Sequence, residues 1–116
     1  MSDQFSISSH FLNKAPLVQA IYDRLLEETR KFGLVIEEPK KTSIHLVNKT
    51  AFAGVATRKT FLLLNIKSTE PIRSPRFARS EKLSSRRYHQ QLKLSDPSEL
   101  DAELLGWLKQ AYELSA

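Results

Sequence analysis

The chain of 116 residues carries 18 lysines and arginines against 13 aspartates and glutamates, a formal net charge of +5, with no cysteine and a 41% hydrophobic share. Disulfides, thiolate catalysis and cysteine-ligated zinc or iron–sulfur centres are therefore excluded, and the composition is that of a folded domain. One domain over residues 1–116 is expected, a length at which about two thirds of the unfolded surface is buried.

The opening stretch MSDQFSISSHFL lacks a basic start followed by an apolar run, and the longest apolar run, FLLL, is short. Neither a signal peptide nor a membrane span is expected, and the cytoplasm is the expected location. From Asn13, NKAPLVQAIYDRLLEETRKFG reads as an amphipathic helix over about 13–32. Leu17, Val18, Ile21, Tyr22, Leu25 and Leu26 recur at the spacing of one buried stripe. Pro16 fits the first turn and Gly33 supplies the stop.

Strand-like pieces follow at about 34–38, 42–47, 51–58 and 59–67, with Asn48–Lys49 as a tight hairpin link because asparagine tolerates positive φ. The run from 68 to 85, with two prolines and many serines, reads as a long basic loop. RRYHQQLKL, about 86–94, reads as a last strand at or near the sheet edge, and the C-terminal helix is expected over about 97–115. There Asp96 can cap, Pro97 can take the first position and Glu99 completes a capping box. Leu100, Leu104, Leu108 and Ala111 form its stripe, and Gly106 within it reads as a concession to close packing. The fold class is α+β in two layers, with both helices on one face of a four- or five-stranded, mainly antiparallel sheet.

Strand parity divides the candidate residues. With Ile44, Leu46, Leu62, Leu64, Ile66, Leu92 and Leu94 toward the helices, the opposite face presents Ser43, His45, Phe61, Leu63, Asn65, Lys67, Arg87, His89 and Lys93. Charge is segregated too. Residues 58–93 hold 10 cations and 2 acids, whereas residues 94–116 hold 1 cation and 5 acids, so the closing helix has acids to pair with the basic third.

The chemistry-bearing patterns are few. His45 and His89 approach one another only if their strands pair, and no third ligand accompanies them, so no metal is expected. No nucleophile elbow surrounds any serine, three glycines make no phosphate-cradling loop, and no catalytic residue or cofactor is assigned. The favoured reading is a non-enzymatic binding module. Lys41, His45, Arg58, Lys59, Lys67, Arg87, His89 and Lys93 form its anion-accepting face, and nucleic acid or another anionic ligand is its candidate partner. Phe77 and Tyr88 are then candidate stacking partners for unpaired bases. An enzyme acting on a phosphorylated or carboxylated small molecule, with His89 or His45 as acid–base, is the alternative. A pocket beneath the histidine and a pKa that moves on ligand binding distinguish it. A third reading is an interaction domain or homodimer formed through the open face.

The Lys-Thr-x-Ile opening at 41–44, Phe-Ala-Gly-Val at 52–55, Arg58-Lys59, Tyr88-His89 and the Leu-Asp-x-Glu-Leu-x-x-Trp-Leu helix from Leu100 to Leu108 resemble a bacterial family. That family is domain of unknown function 5655, and the similarity covers nearly the whole chain. The resemblance implies a small cytoplasmic α+β protein or module and brings no catalytic residue with it. The helix–sheet–helix layout is also similar to frataxin-like domains, but Asp23, Glu27 and Glu28 are too few acids for an iron-binding ridge.

Overall fold

The computed structural model describes residues 6–115; residues 1–5, where the stretch read for a targeting signal begins, and residue 116 lie outside them. Helix α1 spans Pro16–Thr29, and strands β1 (Ile36–Pro39), β2 (Ile44–Val47), β3 (Ala51–Thr57), β4 (Leu62–Ser68), β5 (Phe77–Ser84) and β6 (Arg87–Leu94) precede helix α2 (Ala102–Leu114). All neighbouring strands are antiparallel, in the order β1-β2-β3-β4-β6-β5. Both helices pack on one face, which makes an α+β domain with six strands rather than four or five.

The additional strand is β5. It lies inside the segment expected to be a loop, and only residues 69–76 remain as connection. Nearly all of β5 is exposed, so no burial alternation marked it. Its hydrogen-bonding partner, β6, sits between β4 and β5 and is therefore internal rather than an edge.

The period-two reading of the central strands holds. Ile44, Leu46, Leu62, Leu64, Ile66, Leu92 and Leu94 are all buried against the helices. On α1 the buried stripe is Val18, Ile21, Tyr22, Leu25 and Thr29, whereas Leu17, expected on it, is 39% exposed. Tyr22 donates to Glu37 Oε2 at 2.6 Å, tying α1 to the short edge strand β1. Burial, then that hydrogen bond to a carboxylate, pushes the phenol pKa well up.

The hairpin between β2 and β3 differs from the expected tight link. Asn48, Lys49 and Thr50 form it, and among the described residues Asn13, not Asn48, is the non-glycine residue with positive φ, at 60°. Ser115 O accepts from Lys49 N at 3.1 Å and Thr50 N at 3.3 Å, so the end of α2 supplies the partners that a tighter turn would have supplied itself. A bulge follows, in which Leu46 faces Ala53 and Val47 faces Ala51. Phe52 is the extra residue, and both Phe52 and Ala53 are buried.

The capping box at Asp96 and Glu99 exists, but it closes a 3-10 turn, Pro97–Glu99. A second cap, Asp101, accepts from Leu104 N and starts α2 proper. Leu100, Leu104, Leu108 and Ala111 are buried as their spacing implies. Gly106 is not a close-packing residue, because a Cβ there meets nothing within 4 Å. Gln90 is the buried polar residue of β6. Its Nε2 reaches Ser68 Oγ at 3.2 Å, and that hydroxyl spends its own hydrogen on Glu70 O, which fixes the amide's orientation and leaves Gln90 Oε1 without a partner.

The glycines make opposite predictions. Gly33 has φ +148°, and a Cβ would lie 2.5 Å from the Tyr112 hydroxyl, which donates to Leu34 O at 2.9 Å. Gly33→Ala therefore costs roughly 1–3 kcal/mol in urea unfolding. Gly106→Ala, exposed in mid-helix, stabilises by about 0.5–1 kcal/mol in the same assay.

Candidate functional site

The sheet face opposite the helices is organised by register. One cross-strand row runs through all six strands as Glu38, His45, Gly54, Asn65, Gln91 and Arg79. The next places Lys67, His89 and Glu81 side by side on β4, β6 and β5. Residues at matching register share a face. Apart from Glu38, these residues line a trough of about 340 Å³, completed by Ser43 and the start of β3.

Gly54 forms its floor. A Cβ at Gly54 would sit 3.9 Å from Asn65 Cβ and from His45 Cδ2, an ordinary contact. The glycine therefore avoids no clash; it keeps the centre of the trough open. Gln91 Nε2 approaches Asn65 Oδ1 at 3.5 Å, a long contact that leaves both amides able to turn to a ligand. Arg79 Nη2 lies 3.7 Å from Glu81 Oε2 with both side chains largely exposed, so the guanidinium is only loosely held. Lys67 Nζ reaches Ser115 Oγ at 3.4 Å.

Of the eight sequence-derived candidates, His45, Lys67 and His89 line the trough. The two imidazoles do not meet: β3 and β4 separate their strands, about three strand spacings or roughly 14 Å. Lys93 is on the same face one row further on, opposite Leu63, with its ammonium 4.5 Å above the Phe61 ring. Lys41 lies in the β1–β2 loop and Arg58 and Lys59 in the β3–β4 turn, all at one end of the sheet, while Arg87 opens β6 at the other. These cations do not form one rim. Among the described residues no group of three or more metal-ligating side chains is assembled.

Gly54, Gln91, Arg79 and Glu81, with Ala51, Phe52 and Ala53 at the start of β3, are the lining residues outside the sequence-derived face. Gln91 has the parity of His89 and Lys93, and the Arg-x-Glu alternation at 79–81 was the available signal for β5. A larger cleft, about 570 Å³, lies between residues 68–72 and α2, but Lys67 is the one sequence candidate that touches it.

The basic connection has a structural use. Arg76 Nη1 donates to Asp101 Oδ1 at 2.9 Å and to Glu103 Oε1 at 3.0 Å, and Nη2 donates to Glu99 O at 2.8 Å. Its guanidinium carbon lies 5.9 Å from the Trp107 ring centre, and Phe77 packs on the same indole at 4.9 Å. Phe77 is therefore spent on the core rather than free to stack on a base. The Leu104 N–H and then the Arg76 guanidinium hold the Asp101 carboxyl below the usual range, and the hydrogen bond to Asp101 raises the Arg76 pKa.

Fold and site together define a two-layer α+β domain with its helices on one sheet face and a polar, partly cationic trough on the other. Residues 7–115 match the family described as Domain of unknown function (DUF5655), and the chain belongs to that family. No curated protein and no solved structure matches it.

Because the folded Asp101 pKa is depressed, its contribution to stability is present above the unfolded value, about 3.9, and is lost as pH falls through the lower folded value. Asp101→Asn should therefore lower the unfolding midpoint at pH 7 and leave a shallower loss of stability between about pH 5 and pH 2 than in the wild type. Thermal melts across that range read both effects.

Proposed function

We propose that this chain is a non-enzymatic binding module, bacterial and cytoplasmic, that takes a small phosphorylated or carboxylated anion in the open-face trough. The observation that carries the reading is the register. It sets Lys67 and Arg79 on either side of β6, with His45, His89 and the Asn65 and Gln91 amides between and around them over a glycine floor. Two loosely held cations beside turnable amides and imidazoles match the donor set that recognises a phosphate or carboxylate. A volume of about 340 Å³ falls within the size of small-molecule sites.

A long nucleic-acid track is a poorer fit. Arg76 is paired with acids, Lys93 lies over Phe61, and Lys41, Arg58 and Lys59 stand at the opposite end of the sheet from Arg87. The enzyme reading has less support than the binding reading. Among the described residues no hydrogen bond joins either trough histidine to a carboxylate of the kind that orients the base of a catalytic triad.

Calorimetric titration with inorganic phosphate, a phosphate monoester and a dicarboxylate tests the reading against single-stranded DNA at about 50 and 200 mM salt. Binding of a small anion is expected, weakened roughly tenfold or more by Lys67→Ala or Arg79→Ala. Gly54→Val, whose side chain stands on the trough floor, should abolish it while keeping the fold. Affinity unchanged in all three variants would overturn the assignment. A salt slope of several phosphates on DNA would replace the small anion with a polyanion.

A further inference from the structure

The outer edge of β5 is the second feature with the makings of a site, and it is independent of the anion reading. The sheet has two edges. β1 is four residues long and ends in Pro39, which removes a donor and blunts it. β5 is eight residues long, contains no proline and is exposed along almost its whole length. The helices pack over β3 and β4 and leave this edge uncovered. Register irregularities fall at Phe77/Arg79 and Lys82/Ser84, so the four residues Arg79, Ser80, Glu81 and Lys82 are the regular centre of the strand.

That centre is complementary to itself. In an antiparallel two-fold pairing about Ser80, Arg79 of each copy falls opposite Glu81 of the other. Both residues project on the trough face, since they share rows with Gln91 and His89. The residue on the axis is a serine on the helix-side face, small enough to clear its twin. The pairing also works whichever way the backbone alternates. If the Ser80 amide groups point outward, the two serines form the hydrogen-bonded pair; otherwise Arg79 and Glu81 do. Within the monomer the same two side chains meet only weakly, at 3.7 Å.

We propose that β5 is a homodimerisation edge, through which a second copy of this chain adds antiparallel about Ser80. Six strands from each copy then form one continuous sheet, with all helices on one side. The two troughs abut across the axis, each bounded by its own Arg79 and the partner copy's Glu81. The contact is one strand wide, which puts it among weak, concentration-dependent interfaces rather than obligate ones.

Sedimentation equilibrium of the full chain over roughly 10 µM to 1 mM gives the first readout. A reversible monomer–dimer equilibrium is expected. Arg79→Glu alone and Glu81→Arg alone each place two like-charge pairs across the axis and should weaken association about tenfold or more. An equimolar mixture of these two variants should restore it, because each charge then faces its opposite in the other chain. Effects inside one chain cannot imitate that rescue, since 79 and 81 remain alike within each variant. Ser80→Pro should also remove dimerisation. A wild type that stays monomeric across the range, single variants that associate like the wild type, or folded variants that fail to associate when mixed would each overturn the proposal. These outcomes concern association alone; Arg79 and Glu81 also line the trough, so anion binding is read separately by titration.

Discussion

The Arg76 guanidinium ties the connection after β4 to the start of α2. It bridges Asp101, Glu103 and the Glu99 carbonyl at the start of α2, beside Trp107. Charge-assisted hydrogen bonds from a planar fork are among the more directional contacts available to a surface loop. Phe77, the next residue, continues the contact into the indole and begins β5 opposite Leu92. Docked there, β5 lies at the sheet edge, with β6 between it and β4. The trough owes its outer wall, Arg79 and Glu81, to this docking.

The segregated charge of the sequence has several destinations. Of the cations in residues 58–93, Arg76 neutralises acids of the closing helix. Lys93 lies over Phe61, Lys67 and Arg79 enter the trough, and Arg58 and Lys59 decorate a turn. A single electrostatic purpose does not describe them. The net positive sign comes from several local uses that happen to fall in one stretch of chain.

How much was readable beforehand follows from what each element buries. The central strands alternate between core and open face, so Ile44, Leu64 and Leu92 announced their side, and with it His45, Lys67 and His89. β5 buries almost nothing, so period two leaves no apolar trace in FARSEKLS, and its two trough residues went unseen. Asn48 was misjudged because the turn's partners come from Ser115, far along the chain. Gly106 was misjudged because a glycine on an exposed helix face looks, in sequence, the same as one under a neighbouring element. The separation of Arg58 from Arg87 depends on which end of which strand each occupies, a property of topology that no local pattern records.

The strand order also bears on how the chain reaches its fold. β1 to β4 form a meander in which each strand pairs with its successor across a short connection, and β5 and β6 form a hairpin of their own. Joining the two requires closing the longer span from β4 through β5 to β6. Loop-closure entropy sets that step apart from the local pairings, and slow folding phases follow such non-local contacts. The trough is split along the same seam: His45, Gly54, Asn65 and Lys67 belong to the meander, Arg79, Glu81, His89 and Gln91 to the hairpin. A partly folded chain with either half complete thus has only part of the trough lining, and the whole cavity exists only once the two halves have joined.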